Sequence, residues 1–134
     1  MKPSIILLRA MLILVALSGL HCVVFLFIPW EWTIAVVKWL EIQGISDKCS
    51  PIIEYWMLMM AALCVVIGYL YLVAALNPQK YKNILPILGW ALVFIGITAG
   101  YHGFRLGLPP WPFYGDLVIC AVCGPGIVWL AKRM

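Results

Sequence analysis

Residues 54–76 read EYWMLMMAALCVVIGYLYLVAAL, and this stretch decides the fold class. It contains one charged residue, Glu54, at its start, and the helix-stopping pair Asn77-Pro78 follows it. As an α-helix, a stretch of this length extends about 34 Å, which is enough to cross a hydrocarbon core roughly 30 Å thick. The stretch therefore predicts a transmembrane helix.

Three other apolar stretches have a comparable length, at about 5–28, 84–102 and 112–131. The composition agrees, because 66% of the 134 residues are hydrophobic and 10% are charged, whereas soluble domains carry about 25% charged residues. We predict a single membrane domain over residues 1–134, an all-α bundle of four transmembrane helices. No length remains for a soluble catalytic domain, and a net charge of +4 does not predict nucleic-acid binding.

The first and fourth stretches each have one unusual feature. The first is too long for the core of a signal peptide, and no small-x-small cleavage site follows it, so we expect it to be retained. Arg9 lies one turn inside this stretch, where its side chain can reach the membrane surface. In the fourth, Gly124-Pro125-Gly126 predicts a kink, because proline cannot donate the usual helical hydrogen bond.

The distribution of lysine and arginine predicts the orientation. With the N-terminus inside, the cytoplasmic side carries six basic residues: Lys2, Arg9, Lys80, Lys82, Lys132 and Arg133. The outer side carries three: Lys38, Lys48 and Arg105. The positive-inside rule therefore places both termini in the cytoplasm, in what we expect to be a bacterial inner membrane.

Two shorter patterns predict how the helices are arranged. Apolar residues with helical spacing, flanked by Trp30 and Trp32, predict a short interfacial helix at about 32–43 in the first outer connection. The pattern Gly96-x-x-x-Gly100 lets two helices approach closely. We interpret it as packing within the bundle; the alternative is a dimer interface.

Several short motifs resemble a group of small, uncharacterised bacterial four-helix membrane proteins that are distantly similar to the DoxX-like superfamily. They are Pro51-Ile52-Ile53-Glu54-Tyr55, Ala74-Ala75-Leu76-Asn77-Pro78-Gln79-Lys80-Tyr81, Gly107-Leu108-Pro109, Trp111 and Gly115-Asp116. The resemblance covers roughly residues 51–131. The Asp-Pro-x-Arg-Tyr loop usual in that group is Asn-Pro-Gln-Lys-Tyr here. The resemblance implies the four-helix architecture and no particular activity.

Ionisable side chains gather at the outer ends of the predicted spans, and such residues are candidates for function. They are His21, Glu54, His102, Arg105 and Asp116. Three interpretations are open: ion pairs formed by Arg105 that tie the helix ends together, a site for a ligand or lipid headgroup, or a metal site formed by the histidines and carboxylates. Because no tight metal-ligand spacing is present, we predict no metal and treat the five residues as a candidate ligand site.

The cysteines of the chain indicate a function different from ligand binding. Cys120 and Cys123 share a face of the fourth helix, and Cys49 lies in the outer loop. This arrangement resembles the fourth helix of vitamin K epoxide reductase-type enzymes over about 20 residues. The resemblance implies that Cys123 faces a quinone and that Cys120 exchanges with Cys49. The second loop cysteine expected in such enzymes is missing. Cysteine also serves apolar helices as a small hydrophobic residue.

Two functions from different classes follow. We favour a non-enzymatic membrane protein without a cofactor, which binds a lipid-like ligand or serves as an accessory subunit. Its expected partners are membrane lipids, further copies of itself or a larger membrane complex. The alternative is a thiol–disulfide oxidoreductase that uses Cys120 and Cys123 with a quinone.

Overall fold

The computed structural model describes residues 3–39, 51–107 and 110–134, and all of its regular structure is helical. The α-helices are α1 (Pro3–Leu20), α2 (Trp30–Trp39), α3 (Pro51–Leu76), α4 (Leu85–Arg105) and α5 (Pro110–Lys132). A 3-10 segment, His21–Leu26, extends α1. Four stretches are long and apolar enough to cross a membrane: Pro3–Leu26, Glu54–Leu76, Leu85–Arg105 and Tyr114–Lys132. The prediction of an all-helical fold with four such stretches is confirmed.

The long helices form two antiparallel pairs. One pair is α1 with α3, the other is α4 with α5, and the main contact between the pairs joins α1 to α5. The start of α1, the end of α5 and the Asn77-Pro78 turn therefore lie at one end of the bundle, which we call the termini end. Residues 21–34, the start of α3, the end of α4 and the start of α5 lie at the other, the distal end.

Backbones meet directly where α1 crosses α3. A Cβ added to Gly68 would lie 2.8 Å from the backbone nitrogen of Leu20 and 2.9 Å from the carbonyl oxygen of Ala16. A Cβ added to Gly19 would lie 2.7 Å from the carbonyl oxygen of Cys64. These distances are shorter than real Cβ contacts, so only glycine permits this approach.

Glycines also bring α4 and α5 together. A Cβ on Gly89 would lie 2.9 Å from the carbonyl oxygen of Gly124, and a Cβ on Gly96 would lie 2.8 Å from Cβ of Cys120. A Cβ on Gly100 would meet the side chain of Leu117. Both glycines of Gly96-x-x-x-Gly100 thus face α5, which confirms the prediction of packing within the bundle.

Helix α5 continues through Pro125. On one side of this proline, Gly124 contacts α4; on the other, a Cβ on Gly126 would lie 2.8 Å from the sulfur of Met11 in α1. In an apolar 18-residue stretch of α5, 39% of the residues are buried, against 22% in the corresponding stretch of each of the other three spans. The Gly-Pro-Gly sequence therefore places α5 against both of its neighbours.

Two hydrogen bonds join the helices towards the termini end. Nη2 of Arg9 donates to the carbonyl oxygen of Leu76 at 3.3 Å, which places a cation at the C-terminus of α3. The hydroxyl of the buried Tyr71 donates to the carbonyl oxygen of Leu88 at 2.7 Å and connects α3 to α4. Arg9 thus contacts the C-terminus of a neighbouring helix, and its reach to the membrane surface stays a prediction.

A helix, α2, lies where the sequence predicts an interfacial helix, and it begins at Trp30 rather than at residue 32. Its position in a membrane interface stays a prediction. Thr33 and Ile34 are buried, so this helix packs on the protein through one side. The predicted end of the helix, residues 40–43, lies outside the described residues, as does Cys49.

We predict that Gly68→Ala destabilises the bundle by about 1–3 kcal/mol, because the methyl group meets the backbone of α1 and neither helix can yield cheaply. The measurement is thermal unfolding of the purified protein in mild detergent. Gly103→Ala in α4 is the matched control, because a Cβ there meets nothing within 4 Å. The control should be neutral or slightly stabilising, since alanine favours helix over glycine. Equal melting temperatures for the two variants would contradict the contact at Gly68.

Candidate functional site

The distal end contains a cavity of about 330 Å³, bounded by the 3-10 segment, α2 and α3. Its lining is largely apolar and contains four sulfur-bearing side chains and one carboxylate. The lining residues are Cys22, Phe25, Ile28, Thr33, Glu54, Met57, Leu58, Met60, Ala61 and Cys64.

One face of α3 forms the long wall of this cavity. Glu54, Ala61 and Cys64 follow one another at helical spacing, so the wall runs about 15 Å along the helix axis. This length is about half of a hydrocarbon core. The half-buried carboxylate of Glu54 lies at the distal end of the wall, and Cys64 lies at the other end. We call these the mouth and the floor of the cavity.

The opposite wall depends on the 3-10 segment. Because a 3-10 helix has three residues per turn, Cys22 and Phe25 lie directly above one another. Ile28 continues the same row beyond the segment, and all three residues line the cavity. A regular α-helix would rotate this row away from α3.

At the floor, Cys22 and Cys64 line the same cavity from two helices, and the backbone of Cys64 lies against Gly19, three residues before Cys22. The Nε2 atom of His21 lies 4.0 Å from the Cys22 sulfur. Both cysteines are half-buried, and neither forms a disulfide. The glycine contact sets this pairing, since Cys22 lies three residues after Gly19 and Cys64 four residues before Gly68. This pair was not predicted from the sequence, although small residues at helical spacing on α1 and α3 could have indicated it.

The five predicted site residues do not all meet. Glu54 lines the cavity, whereas His21, His102, Arg105 and Asp116 are exposed. Asp116, at the start of α5, does not line the cavity. Within the described parts of the chain, no salt bridge joins Arg105 to Glu54 or Asp116. Ligand binding by the five residues stays a prediction.

The histidines contact aromatic rings of their own helices. The ring centroid of His102 lies 5.2 Å from that of Tyr101, and His21 lies 6.3 Å from Phe25, both edge-on. Over residues 3–39, 51–107 and 110–134, no group of three or more histidine, cysteine, aspartate or glutamate side chains could hold a metal ion. The two histidines and two carboxylates considered in the sequence are thus not gathered into one metal site.

Cys120 and Cys123 lie elsewhere, in the hydrophobic core. Their exposed fractions are 7% and 2%, and Cys120 contacts Gly96 of α4. The oxidoreductase interpretation requires a polar lining beside Cys120, whereas the residues buried around it form the apolar core of the bundle.

A second hollow, of about 350 Å³, lies along the contact between α4 and α5. It has no ionisable side chain in its lining, which consists of Val93, Gly96, Ile97, Gly100, Leu117, Ala121 and Pro125. Such a surface fits a hydrocarbon chain and offers nothing to orient a headgroup.

The chain matches no protein-family model, no curated protein and no solved structure.

We predict that a thiol reagent separates the two pairs of cysteines. In mild detergent, N-ethylmaleimide should modify the half-buried Cys22 and Cys64 at least about tenfold faster than the buried Cys120 and Cys123. Peptide mass spectrometry over a time course measures the four rates. Denaturation in sodium dodecyl sulfate is the control and should make the rates similar. Fast modification of Cys120 in the folded protein would contradict its burial.

Proposed function

We propose that this chain is a small, non-enzymatic, polytopic membrane protein that holds a lipid-like ligand in its distal cavity. The observation that carries the proposal is the cavity itself. It has the size of the smaller ligand pockets, an apolar lining and one carboxylate at its mouth. Among the described residues, no salt bridge joins Arg105 to the carboxylate of Glu54 or of Asp116. Arg105 therefore does not neutralise the carboxylate at the mouth of the cavity.

The lining indicates the class of ligand. An apolar wall about 15 Å long accommodates a hydrocarbon chain, and the carboxylate of Glu54 favours a headgroup with an ammonium or another hydrogen-bond donor. A zwitterionic lipid with an amine, such as phosphatidylethanolamine, has both features. A lipid with an anionic headgroup lacks the complementary charge.

Burial of Cys120 and Cys123 supports the non-enzymatic reading over the thiol–quinone alternative. A thiol must reach its disulfide partner to exchange with it. Both cysteines are enclosed between helices, and a quinone would have to displace core residues to approach Cys123.

The membrane placement belongs to the same proposal. Both termini face the cytoplasm, the cavity opens outward, and α2 lies in the interface with its tryptophans at headgroup depth. Trp32 and Trp39 are exposed on α2, as this placement requires. Resemblance to the DoxX-like group, an accessory role in a larger complex and self-association stay predictions.

Filling the cavity should remove the ligand. Ala61→Phe places a ring inside the cavity, and we expect at least a tenfold loss of affinity for phosphatidylethanolamine, which corresponds to about 1.4 kcal/mol. Native mass spectrometry of the protein titrated with this lipid measures the bound fraction. Val66→Phe on the same helix is the control, because Val66 is 56% exposed and does not line the cavity. Equal lipid binding by both variants would argue against the cavity as the site.

Reporter fusions test the orientation. Alkaline phosphatase, which needs an oxidising compartment to fold, should be inactive when fused after Met134 and active when fused after Gly107 in a Gram-negative host. Fluorescent-protein fusions at the same positions should give the opposite pattern. Activity of the phosphatase at Met134 would invert the proposed topology.

A further inference from the structure

We propose that Cys22 and Cys64 form a binding site for a soft monovalent metal ion of the Cu(I) type. The proposal does not rest on lipid binding. It rests on two cysteines that line the floor of a sulfur-rich cavity from two neighbouring helices.

The helix contact fixes the geometry of the site. Because the backbones of α1 and α3 touch at Gly19 and Gly68, the positions one turn further towards the distal end face each other directly. Cys22 and Cys64 occupy these positions, line the same cavity and do not form a disulfide. Two sulfur atoms on two helices held together by backbone contact are a preorganised pair of ligands.

The donor types select the metal. Thiolate and thioether sulfur favours Cu(I), whereas oxygen ligands favour magnesium and calcium. Met57 and Met60 line the same cavity and bring the number of sulfur-bearing lining residues to four. Structural zinc requires four ligands, and the described residues hold no cluster of even three of the usual donors. A two-coordinate soft ion is the class of metal that this set fits.

Binding balances as a simple exchange of protons for metal. One Cu(I) ion and two thiols give a bis-thiolate complex and release two protons, and the complex carries one negative charge. No electron is transferred. A coordinated thiol loses its proton to the charge of the ion, so the apolar surroundings do not prevent thiolate formation once the metal is present. Both thiols are half-buried, so the ion can reach them through the cavity.

Titration of the reduced full-length protein with Cu(I) tests the proposal. The protein is kept anaerobic in mild detergent, and bathocuproine disulfonate, a coloured Cu(I) chelator, competes for the metal. We expect the protein to withdraw one equivalent of Cu(I). Cys22→Ala and Cys64→Ala should each weaken binding by more than about 100-fold, since even residues behind the ligands change metal affinity by 10–100-fold.

A matched variant removes the other cysteines instead. C49A/C120A/C123A retains Cys22 and Cys64 as its only thiols and should still bind one equivalent. The same titration with Zn(II) should show no stoichiometric binding. The proposal is overturned if the double variant C22A/C64A has the same affinity for Cu(I) as the wild type. It is also overturned if Zn(II) binds as tightly as Cu(I).

A second measurement needs no variant and therefore does not depend on variant folding. One equivalent of Ag(I), a redox-inert substitute for Cu(I), should protect Cys22 and Cys64 of the wild-type protein from N-ethylmaleimide. Peptide mass spectrometry identifies the protected residues. Unchanged modification of both cysteines would count against a metal site. Loss of lipid binding in Ala61→Phe with intact Cu(I) binding would separate the two proposals.

Discussion

Direct backbone contact between helices at glycine is the constraint on which the rest of this structure depends. Within a bilayer the hydrophobic effect does not drive helices together, so association relies on close packing. Gly19 with Gly68 and Gly89 with Gly124 allow each pair of helices to reach this packing. The first contact also determines the site, because it sets Cys22 opposite Cys64 and thereby defines the floor of the cavity.

Both helix pairs are joined by glycine contacts, but these contacts have different structural consequences in the two pairs. In the pair of α4 and α5, small residues recur along the contact from Gly89 to Gly100, so the helices stay close over several turns and Cys120 is enclosed. In the pair of α1 and α3, the glycine contact is followed by the 3-10 segment and then by α2. Larger side chains replace glycine there, the helices separate, and the cavity opens towards the distal end.

Sequence reasoning predicted the coarse architecture because the lengths of the apolar stretches are nearly sufficient to define it. It also predicted the packing role of Gly96 and Gly100, which form a known spacing. It missed Gly19 and Gly68, because each is a single glycine whose partner lies on another helix. The 3-10 segment was missed too, since an apolar stretch of a span has the same composition in either helical form. The positions of the ionisable residues along the predicted spans indicated that they lie at one end of the bundle. Only the packing of the helices shows that Glu54 alone among them lines the cavity.

The cavity has chemically different ends, and this difference connects the two proposed ligands. Glu54 at the mouth suits a headgroup with donors, whereas Cys22 and Cys64 at the floor suit a soft metal ion. The wall between them is about 15 Å long, so a hydrocarbon chain that fills the cavity reaches the thiols. Occupation of the floor by the ion then shortens the space left for the chain. Two ligands that compete for part of one cavity weaken each other by the same factor, whichever binds first. The distance between the carboxylate and the thiols, set by ten residues of α3, therefore determines how strongly the two binding events oppose each other.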